Sequence, residues 1–210
     1  MELVLASNNM HKLRELGALL VPLGMRLIPQ DQLQIPEAEE PFLTFLENAL
    51  TKARHAARLS EKPAIADDSG VSVQALGGEP GVFSARYASY KGRNSDLNGK
   101  DDAANNALLL ELMKGQSNKS ARYICVLAAL RHADDPEPLI TVGRWDVMVT
   151  EEAKGSGGFG YDPIMLVPGL GKTVAELSIG EKNRISHRAL AIQQMQQLMQ
   201  AYWVDLLHKA

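Results

Sequence analysis

Short apolar runs and amphipathic stretches alternate along the first third of the chain. Residues 3–6 are apolar, and the stretch that follows carries leucines at positions 13, 16 and 20, a helical spacing. A second apolar run covers residues 23–29, a longer helix is predicted from about Pro41 to Ser60, and another strand begins at Pro63. This order of strands and helices predicts a sheet that is flanked by helices.

The second half of the chain adds two long strands and two further helices. A helix is predicted from Asp101 to Met113, and strands are predicted over 121–130 and 139–150, joined as a hairpin by a turn with Asp134 and Pro136. Apolar residues at steps of three and four then predict a closing helix. The chain as a whole is therefore predicted to be one domain of the α/β class, with a mixed sheet flanked by helices.

Composition narrows the classes of partner. The chain has 210 residues, of which 45% are hydrophobic and 22% are charged, and its net charge is -3. Because proteins that bind nucleic-acid polymers usually carry a basic excess, no such partner is expected. No apolar stretch is long enough for a membrane span, and the single Cys125 excludes an internal disulfide, so a cytoplasmic protein is expected.

Two adjacent carboxylates, Asp67 and Asp68, follow the strand that begins at Pro63. The strand is predicted to end at Gly70, which would leave the aspartates and Ser69 where functional groups often lie. Neighbouring residues of a strand point to opposite faces, so one aspartate should matter more than the other. The alternative is an ordinary polar turn, since Asp, Ser and Gly are common in turns.

A possible anion site lies in the turn from Ser7 to Lys12, between the first strand and the first helix. Backbone N–H groups at a helix start and the positive end of the helix dipole favour phosphate, and Lys12 adds a formal charge. The alternative is simple capping of the helix by Ser7, Asn8 or Asn9.

Acidic residues elsewhere in the chain allow a Mg²⁺ site. Glu37, Glu39 and Glu40 precede the long helix, and one of them together with Asp68 would make the sparse protein contribution that Mg²⁺ usually accepts. The residues themselves do not choose among the three glutamates.

Two further segments carry groups suited to a nucleotide. Phe159 stands among glycines, an arrangement that leaves a ring accessible for stacking on a base, although a ring packed in the core is the alternative. The segment from Lys182 to Arg188 is rich in cations and is predicted to open the closing helix. The start of a helix disfavours cations, so a bound anion would explain the cations of this segment. The alternative for Ser186 is that it only caps the helix.

Taken in order, seven motifs resemble the inosine triphosphate pyrophosphatase family, and most closely its bacterial members. They cover nearly the whole chain and comprise Ser7-Asn8-Asn9 with His11-Lys12, residues 44–49 with Lys52-Ala53, 66–70, 77–81 with 84–87, 158–163, 173–177, and Lys182-Asn183 with Ile185-Ser186-His187-Arg188. The resemblance implies Mg²⁺-dependent hydrolysis of deaminated purine nucleotides (ITP, dITP and XTP) to the monophosphate and pyrophosphate. It also implies an elongated mixed sheet with two lobes around a central cleft, and a homodimer.

The resemblance also assigns roles to residues. Asp68 would be the general base and a metal contact, and Glu40 would be the other metal ligand. Phe159 would stack on the purine, with Asp162 and His187 near its edge. Substrate would be bound by Ser7, Asn8, Asn9, Met10, His11, Lys12, Ser69, Phe159, Gly160, Tyr161, Asp162, Lys182, His187 and Arg188.

Two features depart from the family pattern. Val147 stands where the family commonly has glycine, which would alter strand packing, and the segment 89–99 is longer and more polar than usual. Neither lies in a motif assigned to catalysis.

Two other functions remain open at this point. A related pyrophosphatase could prefer modified pyrimidines, and a nucleotide-binding module could lack activity. The presence of Asp68 beside a candidate metal ligand argues against the second. Discrimination of keto purines from adenine would need donors at position 6, supplied by backbone N–H groups or by His187 and Arg188.

Overall fold

The structure is a computed structural model that describes residues 2–20, 23–92 and 101–203, apart from the side chains at 10, 11, 18 and 19. The described residues form an eight-stranded sheet in the order β2-β1-β3-β5-β6-β7-β8, with β4 beside β3. The strands are β1 (Glu2–Leu5), β2 (Arg26–Pro29), β3 (Ala64–Val73), β4 (Pro80–Gly81), β5 (Ser120–Leu130), β6 (Leu139–Val149), β7 (Met165–Val167) and β8 (Lys172–Thr173).

The sheet is mixed, as predicted. β1 pairs in parallel with β2 and β3, whereas β4 is antiparallel to β3 and the β6-β7-β8 pairings are antiparallel. Helices accompany the strands: α1 (Met10–Leu20), α2 (Phe45–Ser60), α3 (Tyr87–Tyr90), α4 (Asp102–Leu112), α5 (Ile179–Ile185) and α6 (His187–Tyr202). The α/β class predicted from the apolar pattern is therefore confirmed.

Three predicted boundaries were wrong, each for a local reason. Helix α2 begins at Phe45 and not near Pro41, because Thr44 caps it by accepting a hydrogen bond from the backbone N–H of Glu47. Strand β3 continues past Gly70 to Val73, because β4 pairs with it at Val71 and Ser72.

The third boundary concerns the segment 182–188, which does not open a single closing helix. Lys182 belongs to α5, which begins after a capping box formed by Ser178 and Glu181 and ends at Ile185. The cation therefore lies in the last turn of α5, where the helix dipole favours it, and the argument for a bound anion at this point fails. Of the lysine and arginine residues in this segment, only Arg188 lies at a helix start, in the first turn of α6.

The chain divides into two compact units. Unit 1 comprises Met1–Asp68, Cys125–Gly143 and His187–Ala210, and unit 2 comprises Ser69–Ile124 and Arg144–Ser186. The core of unit 1 contains leucines of β1 and α1, residues of β5, and the inner face of α6 as far as Trp203. The core of unit 2 contains residues of β3, α4, β5 and β6, with Tyr161 and the strand β7.

The two departures from the family pattern have different outcomes. Val147 is 2% exposed and belongs to the core of unit 2, so its side chain fills space between packed residues. Of the segment 89–99, positions 93–99 lie outside the described residues. In the described part of the chain, no helix is long and apolar enough to cross a membrane.

In unit 1, Gly143 of β6 is in close contact with the start of α6. A Cβ atom added there would lie 1.8 Å from the carbonyl oxygen of His187 and 2.8 Å from the backbone nitrogen of Ala191. These are backbone atoms, so the first turn of α6 would have to move.

We therefore expect Gly143→Ala to lower the free energy of unfolding by about 3 kcal/mol, as overpacking does. Gly17→Ala is the matched control, because Gly17 lies inside α1 and a Cβ there meets open space in the described structure. That control should be neutral or stabilising by up to about 1 kcal/mol, since Ala is the better helix former. Urea unfolding of both variants measures the difference, and equal effects would contradict the packing argument.

Candidate active site

Asp67 is the centre of a buried ion network in unit 1. Its side chain is fully buried, and its two oxygens are paired with Lys12 Nζ at 2.9 Å and with Arg188 Nη2 at 3.4 Å. Arg188 also donates to Glu15 Oε2 at 2.7 Å. The network joins β3 to α1 and α6, and it gives Asp67 two cationic partners.

The charges of this network determine how Asp67 titrates. Burial raises the pKa of Asp67, but the coulombic effects of Lys12, Arg188 and Lys52 outweigh it, so the pKa lies well below its ordinary value. Burial lowers the pKa of Arg188, and its anionic neighbours raise it above the ordinary value. Asp67 is therefore ionised at neutral pH, and its negative charge is balanced by its cationic partners.

Asp68, the next residue of β3, has a different partner. Its Oδ1 is 3.2 Å from Lys52 Nζ, and the same ammonium is 2.7 Å from Glu40 Oε1. Lys52 thus bridges the two carboxylates that were predicted to hold metal. The other Asp68 oxygen, Oδ2, is buried and has no hydrogen-bond partner among the described residues.

Desolvation controls the protonation of Asp68. Burial raises its pKa, Lys52 lowers it, and Glu40 and Asp67 raise it, with a net value above that of an ordinary aspartate. A carboxylate with a raised pKa is a better proton acceptor than one fully stabilised by partners. Of the two aspartates, Asp68 is therefore the one suited to act as a base.

The residues around Asp68 fit a magnesium ion. Asp68 and Glu40 carry carboxylate oxygens that already share one cation, Lys52, and the buried Oδ2 of Asp68 offers an acceptor for another. No group of three or more His, Cys, Asp or Glu side chains that could hold a metal occurs among the described residues. Two carboxylates, with waters and substrate phosphates, are the usual protein contribution to Mg²⁺.

Some polar side chains of the turn from Ser7 to Lys12 cap the start of α1. Asn9 is the residue before α1, and its side-chain oxygen accepts from the backbone N–H of Lys12 at 3.3 Å, while Ser7 Oγ accepts from Asn9 N at 3.2 Å. Asn8 is exposed and donates to Glu37 Oε1 at 3.4 Å. Capping by Asn9 is thus present, and Lys12 is held by Asp67. The side chains of Met10 and His11 lie outside the described residues.

In unit 2, the segment Gly157–Asp162, called here the aromatic turn, carries Phe159. The residue Phe159 is 37% exposed, which excludes the alternative of a ring buried in the core. Lys182 Nζ lies 4.5 Å from the ring centroid, a cation–π contact. The face of an exposed aromatic ring and a cation are thus presented together.

Asp162 organises the aromatic turn. Its Oδ1 accepts from the buried hydroxyl of Tyr123 at 2.9 Å, and its Oδ2 accepts from Lys182 Nζ at 2.5 Å and from Phe159 N at 3.0 Å. A Cβ at Gly158, where φ is +74°, would lie 2.0 Å from Asp162 Oδ2, so glycine is required. The structure gives Asp162 a role in holding the turn and Lys182.

The remaining predicted residues are placed as follows. Tyr161 is 5% exposed, and its hydroxyl donates to the carbonyl of Ser84, so its ring belongs to the unit 2 core. His187 is buried at the start of α6 in unit 1. Ser69 is partly buried on β3. Gly160 is held by side chains of α4.

Sequence reasoning missed Lys52, the cation that bridges Glu40 and Asp68. Lys52 belongs to the second of the seven motifs, but no role was assigned to it. Its partners Glu40 and Asp68 lie 12 and 16 residues away along the chain. The signal in the sequence was Asp68 itself, because a buried carboxylate needs a cationic partner. The buried pairing of Asp67 with Arg188, 121 residues away, was also missed.

Known proteins resemble this chain over nearly its full length. The model of the Ham1 family matches residues 3–198. A protein of Leptothrix cholodnii, named dITP/XTP pyrophosphatase, is 56% identical over 97% of this chain and 99% of its own. A protein of the same name from Ralstonia nicotianae is 57% identical over 92% of this chain and 94% of its own.

A solved structure shows the same likeness. The structure of a HAM1 protein from Coxiella burnetii superposes with a TM-score of 0.88 at 43% identity, and the match covers 96% of this chain and 99% of that one. The fold described above is therefore shared with a protein of related sequence.

The ion network predicts a pH-dependent contribution of Asp67 to stability. Because the folded pKa is below the unfolded one, the contribution is complete above about pH 4, the ordinary value of Asp, and is lost as pH falls towards the folded pKa. We expect Asp67→Asn to cost about 3 kcal/mol at pH 7, since it leaves two cations without their partner.

Denaturant unfolding of wild type and Asp67→Asn at pH 7 and pH 3 measures this contribution. The difference between the two proteins should narrow at pH 3. A difference that stays constant with pH would show that the network does not stabilise the fold through the charge of Asp67.

Proposed function

The chain belongs to the Ham1 family, and on that premise we propose how it acts as a nucleoside triphosphate pyrophosphatase. Its relatives are named dITP/XTP pyrophosphatase, in agreement with the resemblance found in its motifs. It hydrolyses deaminated purine nucleotides (ITP, dITP and XTP) to the monophosphate and pyrophosphate, which removes them from the nucleotide pool. The observation that carries the proposal is the pair Asp68 and Glu40 bridged by Lys52.

In the proposed reaction a water molecule attacks phosphorus and the anhydride bond between the α and β phosphates breaks. One proton of the water goes to Asp68, and the leaving group is pyrophosphate. The burial of Asp68 supports this role, because a desolvated carboxylate has a raised pKa and Lys52 still favours its ionised form. General-base help of this kind is worth roughly 10²–10⁴-fold, so charge stabilisation must supply the rest.

Mg²⁺ is the proposed cofactor, and Asp68 and Glu40 are the residues that would hold it. When bound, the ion would neutralise the negative charge that develops on the phosphate oxygens. Lys52, held between the same carboxylates, is a cation that could contact phosphate from within unit 1. Phosphate is also proposed to bind at the start of α1, where the positive end of the helix dipole favours an anion. The Lys12 ammonium, which Asp67 holds in place, would add a positive charge there.

The purine is proposed to stack on Phe159. An exposed ring that lies on a turn held by Asp162 supports this, because stacking needs an accessible face and little rearrangement. Contacts of Ser69, Lys182, His187 and Arg188 with substrate are proposed on the motif resemblance.

Assembly and location are proposed on the motif resemblance and on the state of Cys125. A homodimer is proposed on the resemblance, and sedimentation velocity would measure it. A reducing cytoplasm is proposed because the single Cys125 is buried and unbridged.

The product assay tests the reaction class and the substrate together. Incubation with Mg²⁺ and a panel of triphosphates should release pyrophosphate, with dITP, ITP and XTP preferred over ATP and over pyrimidine nucleotides. Release of orthophosphate would indicate a phosphatase, and preference for a pyrimidine would overturn the substrate class. Chelation of Mg²⁺ by EDTA should stop turnover, and added Mg²⁺ should restore it.

Asp68→Asn should reduce turnover of dITP by at least about 10²-fold, because the amide cannot accept the proton. The fold should persist, since Lys52 keeps its contact with Glu40. The matched control is Asp146→Asn, which alters an exposed carboxylate paired with Arg122 and should leave kcat unchanged. Full activity of Asp68→Asn, with a circular dichroism spectrum like that of wild type, would exclude Asp68 as the base.

A further inference from the structure

Helix α4 binds both backbone polar groups of Gly160 in the aromatic turn. Asp102 Oδ2 accepts from Gly160 N at 2.7 Å, and Asn106 Nδ2 donates to Gly160 O at 3.0 Å. Residues four apart lie on one face of a helix, so a single helix face holds this residue of the turn. Neither Asp102 nor Asn106 was singled out among the sequence motifs.

The contact between Asp102 and Gly160 is not explained by a need to satisfy a buried group. The bond from Gly160 N to Asp102 is exposed, and an exposed N–H can donate to water at little cost. The hydrogen bond to Asp102 therefore fixes the position of the Gly160 backbone more than it stabilises the fold.

Together with a contact of Phe159 itself, these hydrogen bonds fix the backbone on both sides of the Phe159 ring. Asp162 accepts from Phe159 N at 3.0 Å, while Asp102 accepts from the next N–H along the chain. The two peptide groups on either side of the Phe159 Cα are thus each bound to a carboxylate. The exposed ring is attached to a backbone that is fixed on both sides.

We propose that Asp102 and Asn106 are positioning residues for purine recognition: through Gly160 they hold the Phe159 ring in the orientation that stacks on the base. The inference rests on the proposed function. A ring that is fixed beforehand loses less freedom on binding, and base affinity gains accordingly. The effect is confined to the base, since neither residue has a role in holding phosphate.

The affinities of Asp102→Ala, Asn106→Ala and the double variant for two ligands distinguish an effect on the base from an effect on phosphate. Inosine monophosphate should bind about tenfold more weakly, the order of loss expected when a side chain that was fixed beforehand must instead be ordered on binding. Inorganic tripolyphosphate, which has no base, should bind as it does to wild type. Equal weakening of both ligands, or no weakening of either, would overturn the inference.

Asp102→Asn is the conservative control. Its side-chain oxygen can still accept from Gly160 N, although it lacks the charge that favours the first turn of α4. Binding of inosine monophosphate near the wild-type value would attribute the effect to the hydrogen bond. A loss as large as that of Asp102→Ala would attribute it to the helix and overturn the positioning role.

A double-mutant cycle with Phe159→Ala tests whether Asp102 acts through the ring. If it does, Asp102→Ala should add little loss of inosine monophosphate affinity once Phe159 is already alanine. Additive losses would mean that Asp102 acts by another route and would overturn the proposal.

Amide hydrogen exchange gives a readout that does not depend on the substrate. The Gly160 N–H should exchange faster in Asp102→Ala than in wild type, and unchanged exchange would overturn the contact itself. A wild-type protein that fails to bind inosine monophosphate would overturn the proposed function and this inference together. A wild type that binds, with variants that bind equally well, would overturn the inference alone.

Discussion

Two buried carboxylates on consecutive residues of β3 require separate cations, and unit 1 is arranged to supply them. Removing a charge from water costs several kcal/mol unless a partner is present. Alternation along the strand directs the side chains apart, so Asp67 pairs with Lys12 and Arg188 whereas Asp68 pairs with Lys52. These cations come from α1, α6 and α2, and the positions of the three helices therefore depend on the acidic pair.

The same arrangement makes the two aspartates chemically different. Asp67 has two cations on a fully buried side chain, which holds its pKa well below the ordinary value and leaves it a structural anion. Asp68 shares a single ammonium with Glu40 and keeps one buried oxygen without a partner among the described residues. Burial without full compensation is what raises a pKa and makes a carboxylate able to accept a proton.

Sequence reasoning found the order of strands and helices, because local apolar periodicity determines it, and it preferred Asp68 to Asp67 from strand alternation together with the motif resemblance. It failed where distant residues decide. β3 continues past Gly70 to Val73, and β4 pairs with it there at Val71 and Ser72. Lys52 could not be assigned because its partners meet it through the fold. The break before α6 was missed because the segment from Lys182 was taken as the opening of the closing helix, whereas its first part ends α5 and α6 begins at His187.

The aromatic turn limits how a purine can be recognised within unit 2. Backbone N–H groups were expected among the donors that read a keto oxygen, but those of Phe159 and Gly160 already donate to Asp162 and Asp102. The turn therefore offers the face of a ring, and stacking alone does not separate keto from amino purines, because every base has a π-face. Lys182 is different: its ammonium has three N–H groups, a keto oxygen can accept from it, and an amino group cannot. If the purine stacks on Phe159 as proposed, we expect the contribution of this unit to selectivity to come from Lys182, the cation that Asp162 holds in place.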